Sequence, residues 1–276
     1  MSSRREFAYT DADFDALRSR VLDDTGIRLG DSKRELVYGR VTRRLRALGL
    51  DSFSAYRALL EQDDGREREA LRSAITTKLT AFNRERHHFD YLRDQLLRPW
   101  VEAGARERLR IWSAGCASGE EPYSIAMTIA ACVPHWQGRD IRILATDIDA
   151  AVLEYAQAAV YTQAQVARVP PADLERHFTR LPQDGGVRYR LRPQLAGLVT
   201  LRQLNLVDEL PMHGPLDAIF CRNVAIYFDR ETQRRMYARF ARLQRPGDLL
   251  FVGHSESLYR VTDDYALIGK TIYRRR

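Results

Sequence analysis

From residue 13 to residue 74, apolar side chains recur every three to four positions with charged side chains between them. This is the period of helices with one buried face. Four are predicted, over 13–23, 32–48, 52–61 and 66–74, with Asp63, Asp64 and Gly65 in a loop. No strand-like alternation interrupts them, so residues 1–75 read as a small all-helical domain. From about residue 91 the pattern changes. Apolar runs at 109–113, 141–146, 199–204, 216–221, 248–253 and 271–275 alternate with helical stretches. That alternation predicts an α/β domain over 91–276, with a mainly parallel sheet covered by helices. Residues 161–198 interrupt it. There Asp184, Gly185 and Gly186, followed by Val187, Tyr189 and Leu191, predict an antiparallel hairpin. Residues 76–90 form a junction between the two domains.

The stretch R-I-W-S-A-G-C-A-S-G-E-E-P-Y-S, residues 110–124, carries the most chemistry. It reads as a strand, a loop bracketed by Gly115 and Gly119, and a helix opened by Glu120, Glu121 and Pro122. A strand–glycine loop–helix unit is a usual cofactor cradle. Two carboxylates at the helix start would repel a pyrophosphate but not a ligand with a cationic centre, which points to S-adenosylmethionine rather than a dinucleotide. The next strand, I-R-I-L-A-T-D-I-D, ends at Asp147, which lies 28 residues after Gly119. An acid at that strand end can accept hydrogen bonds from both ribose hydroxyls. Its neighbour Asp149 is available to cap the following helix.

Two more segments, I-T-T-K-L-T-A-F-N-R-E-R-H-H-F from Ile75 and D-A-I-F-C-R-N-V-A-I-Y-F-D from Asp217, join G-H-S-E-S-L at 253–258. Together with the glycine loop they resemble the bacterial chemotaxis receptor methyltransferases, the CheR family, in order and over nearly the whole chain. The resemblance implies a Rossmann-like methyltransferase sheet, the small inserted β subdomain, and methyl-ester formation on receptor glutamates. A glutamate carboxylate is ionised at neutral pH, so no general base is required. It also implies residue roles. Arg84 would reach the cofactor and the incoming carboxylate, and Tyr227 would stand near the transferred methyl; these are the catalytic candidates. Lys78, Thr80, Arg84, Gly115, Glu121, Asp147, Asn205, Leu206, Arg222 and Asn223 would line the cofactor, and no metal is implied. The family pattern has asparagine where Lys78 stands and a second phenylalanine where Asn83 stands. Lys78 motivates one alternative, a chemosensory regulator that binds cofactor with reduced or no transfer.

Composition changes the picture only slightly. Hydrophobic content of 45% and charged content of 29% are those of a globular chain. The three cysteines form no Cys-x-x-Cys pair, which argues against a disulfide framework or a zinc site. No run is long and apolar enough to span a membrane, and the N-terminus lacks a signal-peptide core, so a cytoplasmic monomer is expected. The net charge of +7 is partly concentrated between Lys33 and Arg46, on a predicted helix capped by Asp31 or Ser32 and stopped at Gly49. The resemblance makes that helix a docking surface for the cytoplasmic helices of a methyl-accepting receptor, the enzyme's one link to the membrane. A nucleic-acid methyltransferase would need aromatic stacking or base-flipping elements, which the sequence lacks. The resemblance further includes members that bind a receptor C-terminal peptide on the inserted hairpin. The compact L-P-Q-D-G-G-V loop here predicts recognition without that tether.

Overall fold

A computed structural model of the protein describes residues 5–104, 108–183 and 186–276. The chain divides into two units. One comprises the residues up to Thr77 together with Tyr227–Thr232; the other comprises Lys78–Ile226 and Gln233–Arg276.

The first unit holds helices α1 (Asp11–Thr25), α2 (Arg34–Leu48), α3 (Phe53–Gln62) and α4 (Arg66–Ile75). Helix α1 starts at a capping box. Thr10 Oγ1 accepts from the Asp13 amide at 3.2 Å, and Asp13 Oδ2 accepts from the Thr10 amide at 2.9 Å. Phe14, Leu17, Val37, Val41, Leu45, Phe53, Tyr56 and Leu71 form the core. Helix α2 begins later than expected. Asp31–Lys33 make a 3-10 turn, and Lys33 stands at the cap position without a side-chain cap. Gly49 ends the helix in the left-handed region, at φ 66°, as a C-terminal glycine should. Leu48, in the last turn, is exposed.

Several arginines of α2 are structural. Arg40 Nη1 donates to the carbonyls of Ala74, Ile75 and Thr76, at the C-terminal end of α4. Arg44 grips Glu67 with both forks, at 2.9 and 2.7 Å, and Tyr56 Oη donates to the same carboxylate. Arg46 pairs with Glu6. Lys33 and Arg43 remain exposed.

The second unit is built on ten strands: β1 (Leu109–Ala114), β2 (Ile141–Asp147), β3 (Val160–Thr162), β4 (Phe178–Gln183), β5 (Gly186–Leu191), β6 (Val199–Gln203), β7 (Ala218–Cys221), β8 (Leu249–Val252), β9 (Tyr265–Gly269) and β10 (Ile272–Arg275). Seven make one sheet in the order β6-β2-β1-β7-β8-β10-β9. The first five of that order run parallel, and β10 is antiparallel to β8 and β9. This is the α/β architecture expected. Strand β9 was not predicted: among the described residues it is an edge strand paired with β10 alone, and its Leu267 is exposed. Helices α5 (His87–Leu92), α6 (Arg98–Glu102), α7 (Glu120–Cys132), α8 (Ala150–Ala158) and α12 (Arg230–Arg242) accompany the strands. The inserted subdomain is the three-stranded sheet β3-β5-β4, with the short helices α9 (Gln163–Val166), α10 (Pro171–His177) and α11 (Pro193–Ala196) beside it in sequence. Strands β4 and β5 pair antiparallel from Phe178↔Leu191 to Gln183↔Gly186, so the predicted hairpin is present. Its tip, Asp184 and Gly185, lies outside the described residues.

Trp112 and Phe220 sit at full burial on β1 and β7, and Phe220 stacks on Phe251 with centroids 4.2 Å apart. This dry centre fixes the C-terminal strand ends where the candidate site is built.

Candidate active site

The loop after β1 closes on the end of β2. Gly115 and Cys116 donate their amides to the Thr146 carbonyl at 2.8 and 2.9 Å. Gly115 has φ 84°, and a Cβ there would collide with Val224 Cγ2, so both conformation and space require glycine. Gly119, at φ 94°, is the N-cap of α7.

Asp147 ends β2 and joins two backbone segments. Its Oδ2 accepts from Ala117 N at 2.9 Å and its Oδ1 from Asp149 N at 3.0 Å. Burial holds its carboxyl above the usual carboxylate range, opposed by these amide hydrogen bonds. The cap of α8 is Asp149, whose Oδ1 accepts from Ala151 N at 3.0 Å, which leaves Asp147 out of that role. The Asp147 carbonyl accepts from Leu204 N at 3.0 Å, tying the end of β6 to the same corner. Asn205 and Leu206 follow directly. Leu206 is buried, and Asn205 Oδ1 accepts from Val207 N at 3.3 Å.

At the end of β7, Arg222 is almost wholly buried between two acids. Its Nε lies 3.5 Å from Glu121 Oε2 and 3.6 Å from Glu85 Oε2. Its Nη2 donates to the Arg84 carbonyl at 2.5 Å, while Nη1 is buried without a hydrogen-bond partner among the described residues. Glu121 also accepts from Ser113 Oγ at 2.7 Å. Burial raises its carboxyl, and the Arg222 charge opposes that. Glu85 sits below the usual carboxylate range: burial would raise it, but the hydrogen bond from His254, 3.0 Å away, and the Arg222 charge outweigh that.

The 78–84 strap carries the remaining candidates. Lys78 Nζ lies 2.8 Å from Asp149 Oδ2. Thr80 is half-buried. Phe82 is fully buried against Tyr161 and Phe178. Asn83 adopts φ 54° and donates its amide to Ser124 Oγ at 3.0 Å. That left-handed conformation suits asparagine better than phenylalanine. Arg84 Nη1 donates to the Leu79 carbonyl at 2.7 Å.

All of these side chains belong to the second unit. Tyr227 does not: it groups with the helical unit, where its carbonyl accepts from Arg28 N at 2.9 Å. His88, beside the site, is fully buried, and burial together with the Arg222 and His87 charges lowers it to about 3. Sequence reasoning missed Glu256. Its carboxylate accepts from the amides of Gly253, Asn223, Val224 and Ala225, at 2.5 to 2.9 Å, and so holds the loop after β7. The signal was the acid inside G-H-S-E-S, four residues after the end of β8, where a carboxylate can serve a row of open amides.

Two family profiles match. One described as "CheR methyltransferase, all-alpha domain" covers residues 12–76, and one described as "CheR methyltransferase, SAM binding domain" covers residues 78–274. The chain belongs to the CheR methyltransferase family. It is 42% identical to the "Chemotaxis protein methyltransferase" of Salmonella typhimurium, over 98% of this chain and 92% of that one. It is 42% identical to "Chemotaxis protein methyltransferase 2" of Pseudomonas aeruginosa, over 98% and 95%, and 43% identical to the Escherichia coli chemotaxis protein methyltransferase, over 96% and 91%. This CheR-family chain is an S-adenosylmethionine-dependent methyltransferase that acts on chemoreceptors. Nothing in the site or the relatives favours a regulator without transfer activity. Among the described residues, no helix is long and apolar enough to cross a membrane.

Proposed function

We propose that the protein methylates glutamate side chains on the cytoplasmic helices of a chemoreceptor, forming methyl esters, and that it does so as a cytoplasmic monomer. Arg222 carries this reading: its buried guanidinium lies beside Glu121 and Glu85, and its Nη1 has no hydrogen-bond partner among the described residues. The donor set fits S-adenosylmethionine. Glu120 is buried at the start of α7, with Glu121 and Asp147 nearby in the fold, and these acids suit a sulfonium, an amino group and ribose hydroxyls. A guanidinium N–H without a protein acceptor suits a carboxylate.

On this reading Asp147 accepts the ribose hydroxyls, and Asn205 and Leu206 flank the adenine. Gly115 and Asn223 lend backbone, Glu121 and Arg222 hold the methionine portion, and Lys78 and Thr80 border the cofactor on the strap. When bound, the cofactor supplies an electrophilic methyl group, and S-adenosylhomocysteine is its product. Arg84 orients the acceptor carboxylate. Its planar fork can take both oxygens, and moderate rather than tight pairing keeps the oxygen nucleophilic. No residue has to remove a proton, because the acceptor is already an anion. The site is drawn from the second unit alone, and Tyr227 enters only through the family pattern.

The test is transfer of a tritiated methyl group to receptor cytoplasmic fragments, followed by mass spectrometry of the peptides. Base-labile methyl esters on glutamate are expected. Label on another residue type, or none with a folded, cofactor-binding protein, overturns the assignment.

A further inference from the structure

Lys78 stands where the family pattern has asparagine, and a lysine beside a sulfonium would be repelled by it. Its ammonium is engaged elsewhere, at 2.8 Å from Asp149 Oδ2. The acid side chain is 1% exposed and the lysine 40%, so the pair joins a solvent-side cation to an interior anion. Asp149 already caps α8 with its other oxygen. Its amide donates to Asp147 Oδ1, and Asp147 Oδ2 accepts from Ala117 in the glycine loop. A connected path therefore runs from Lys78 through Asp149 and Asp147 to the loop after β1. The charge of Asp149, after burial, helps keep the Asp147 carboxyl raised, so a cation on Asp149 bears on Asp147 as well.

The strap is fixed at its far end by Phe82 in the core and by the Asn83 amide on Ser124. Within it, Arg84 is tied to the Leu79 carbonyl, next to Lys78. The 78–149 pair fastens the near end.

We infer that Lys78 is a positioning residue: its pair with Asp149 latches the 78–84 strap to the turn carrying Asp147, holds Arg84 and the ribose acceptor in one arrangement, and turns the ammonium away from the sulfonium. The inference rests on the roles proposed above for Asp147 and Arg84. It makes the replacement of asparagine a different fastening rather than a defect.

Calorimetry with S-adenosylmethionine and with S-adenosylhomocysteine tests it, because only the first carries the sulfonium charge. Lys78→Met should weaken both ligands by the same factor, about tenfold, as for loss of a charged hydrogen bond. Lys78→Arg should restore most of the affinity. Asp149→Asn, which keeps a capping side chain, should behave like Lys78→Met, and the double variant should be no weaker than either single one. A selective gain for S-adenosylmethionine in Lys78→Met would mean that the ammonium faces the sulfonium, and additive losses would mean that the two residues act separately. Either result overturns the latch, as does unchanged affinity for both ligands. A double-mutant cycle by urea unfolding without ligand provides a separate measurement. Coupling between 78 and 149 supports the latch, and its absence overturns it. Wild-type protein that binds neither ligand would refute the cofactor site itself, while the ligand-free cycle would still report on the pair.

Discussion

Glu256 holds Asn223 in a left-handed conformation that few residues adopt: its Oε2 accepts the Asn223 amide at 2.8 Å, with Asn223 at φ 60°. The same carboxylate accepts three neighbouring amides, and Gly253 leaves room for the Asn223 side chain where a Cβ would collide with it. Glu256→Gln replaces one acceptor oxygen with an N–H₂ aimed at amide donors. Unsatisfied buried donors cost about 1–3 kcal/mol. We expect stability to fall by about that amount, together with weaker cofactor binding, since Arg222 and Asn223 lose their anchor. Urea unfolding and calorimetry check both; unchanged values would mean that the loop holds itself.

Cofactor binding should depend on Asp147. Asp147→Ala removes the charged acceptor of the ribose hydroxyls, worth about 1.5–3 kcal/mol, or roughly tenfold or more in affinity. It also frees the Ala117 amide. Asp147→Asn keeps one of the two amide contacts and separates the two effects. Calorimetry with S-adenosylhomocysteine is the measurement, and wild-type affinity in a folded alanine variant would remove Asp147 from the site.

Arg84 should matter for turnover more than for folding. It is half-buried and its guanidinium bonds a carbonyl of its own strap. Arg84→Ala should abolish methyl transfer with a melting temperature within a few degrees of wild type. Arg84→Lys should rescue poorly, because an ammonium lacks the fork. Near-normal turnover in the alanine variant would exclude a catalytic role.

The helical and parallel-strand elements were legible because each has its own period. The parallel strands are continuous apolar runs, and α1 to α4 are amphipathic. The place of Asp147 at the end of β2 was legible because the apolar run stops there, and Asp149 declared itself as a cap by preceding Ala150. The charge partners were not legible. The Arg222–Glu121 and Arg222–Glu85 contacts span about a hundred residues or more of sequence and exist only once β1 and β7 pair. Strand β9 was missed because an edge strand with exposed Leu267 carries no clear alternation. The α2 arginines read together as one docking surface; only the packing shows that Arg40 and Arg44 serve α4 and Glu67.

His88 should make the protein acid-sensitive. Its ordinary value of 6.5 is lowered to about 3 by burial and by the Arg222 and His87 charges, so the folded state holds it neutral. The unfolded chain binds the proton first. Stability from this group is therefore complete above about pH 6.5 and is lost as pH falls toward about 3. One proton limits the slope to about 1.4 kcal/mol per pH unit. Urea unfolding of wild type and His88→Gln at pH 7, 5.5 and 4 isolates the term, because the carboxylates are common to both. Parallel pH profiles would show that His88 is not held neutral.

The exposed cations of α2 and its preceding turn should recruit the receptor, and the structure decides which ones to change. Arg44 cannot serve as the probe: it neutralises Glu67, whose side chain is 8% exposed, and Tyr56 depends on the same carboxylate. Arg44→Glu should cost about 2 kcal/mol or more of stability by leaving that acid unpaired. Lys33 and Arg43 are exposed and suit the test. Reversing both to Glu should leave stability and cofactor affinity unchanged, since these belong to other contacts. Surface charges act mainly on encounter. The apparent KM for receptor fragments should therefore rise several-fold at low salt, and its salt dependence should flatten. Methylation kinetics across a salt series are the measurement. Wild-type kinetics at every salt concentration would make this face a solvated one and move receptor recognition elsewhere on the protein.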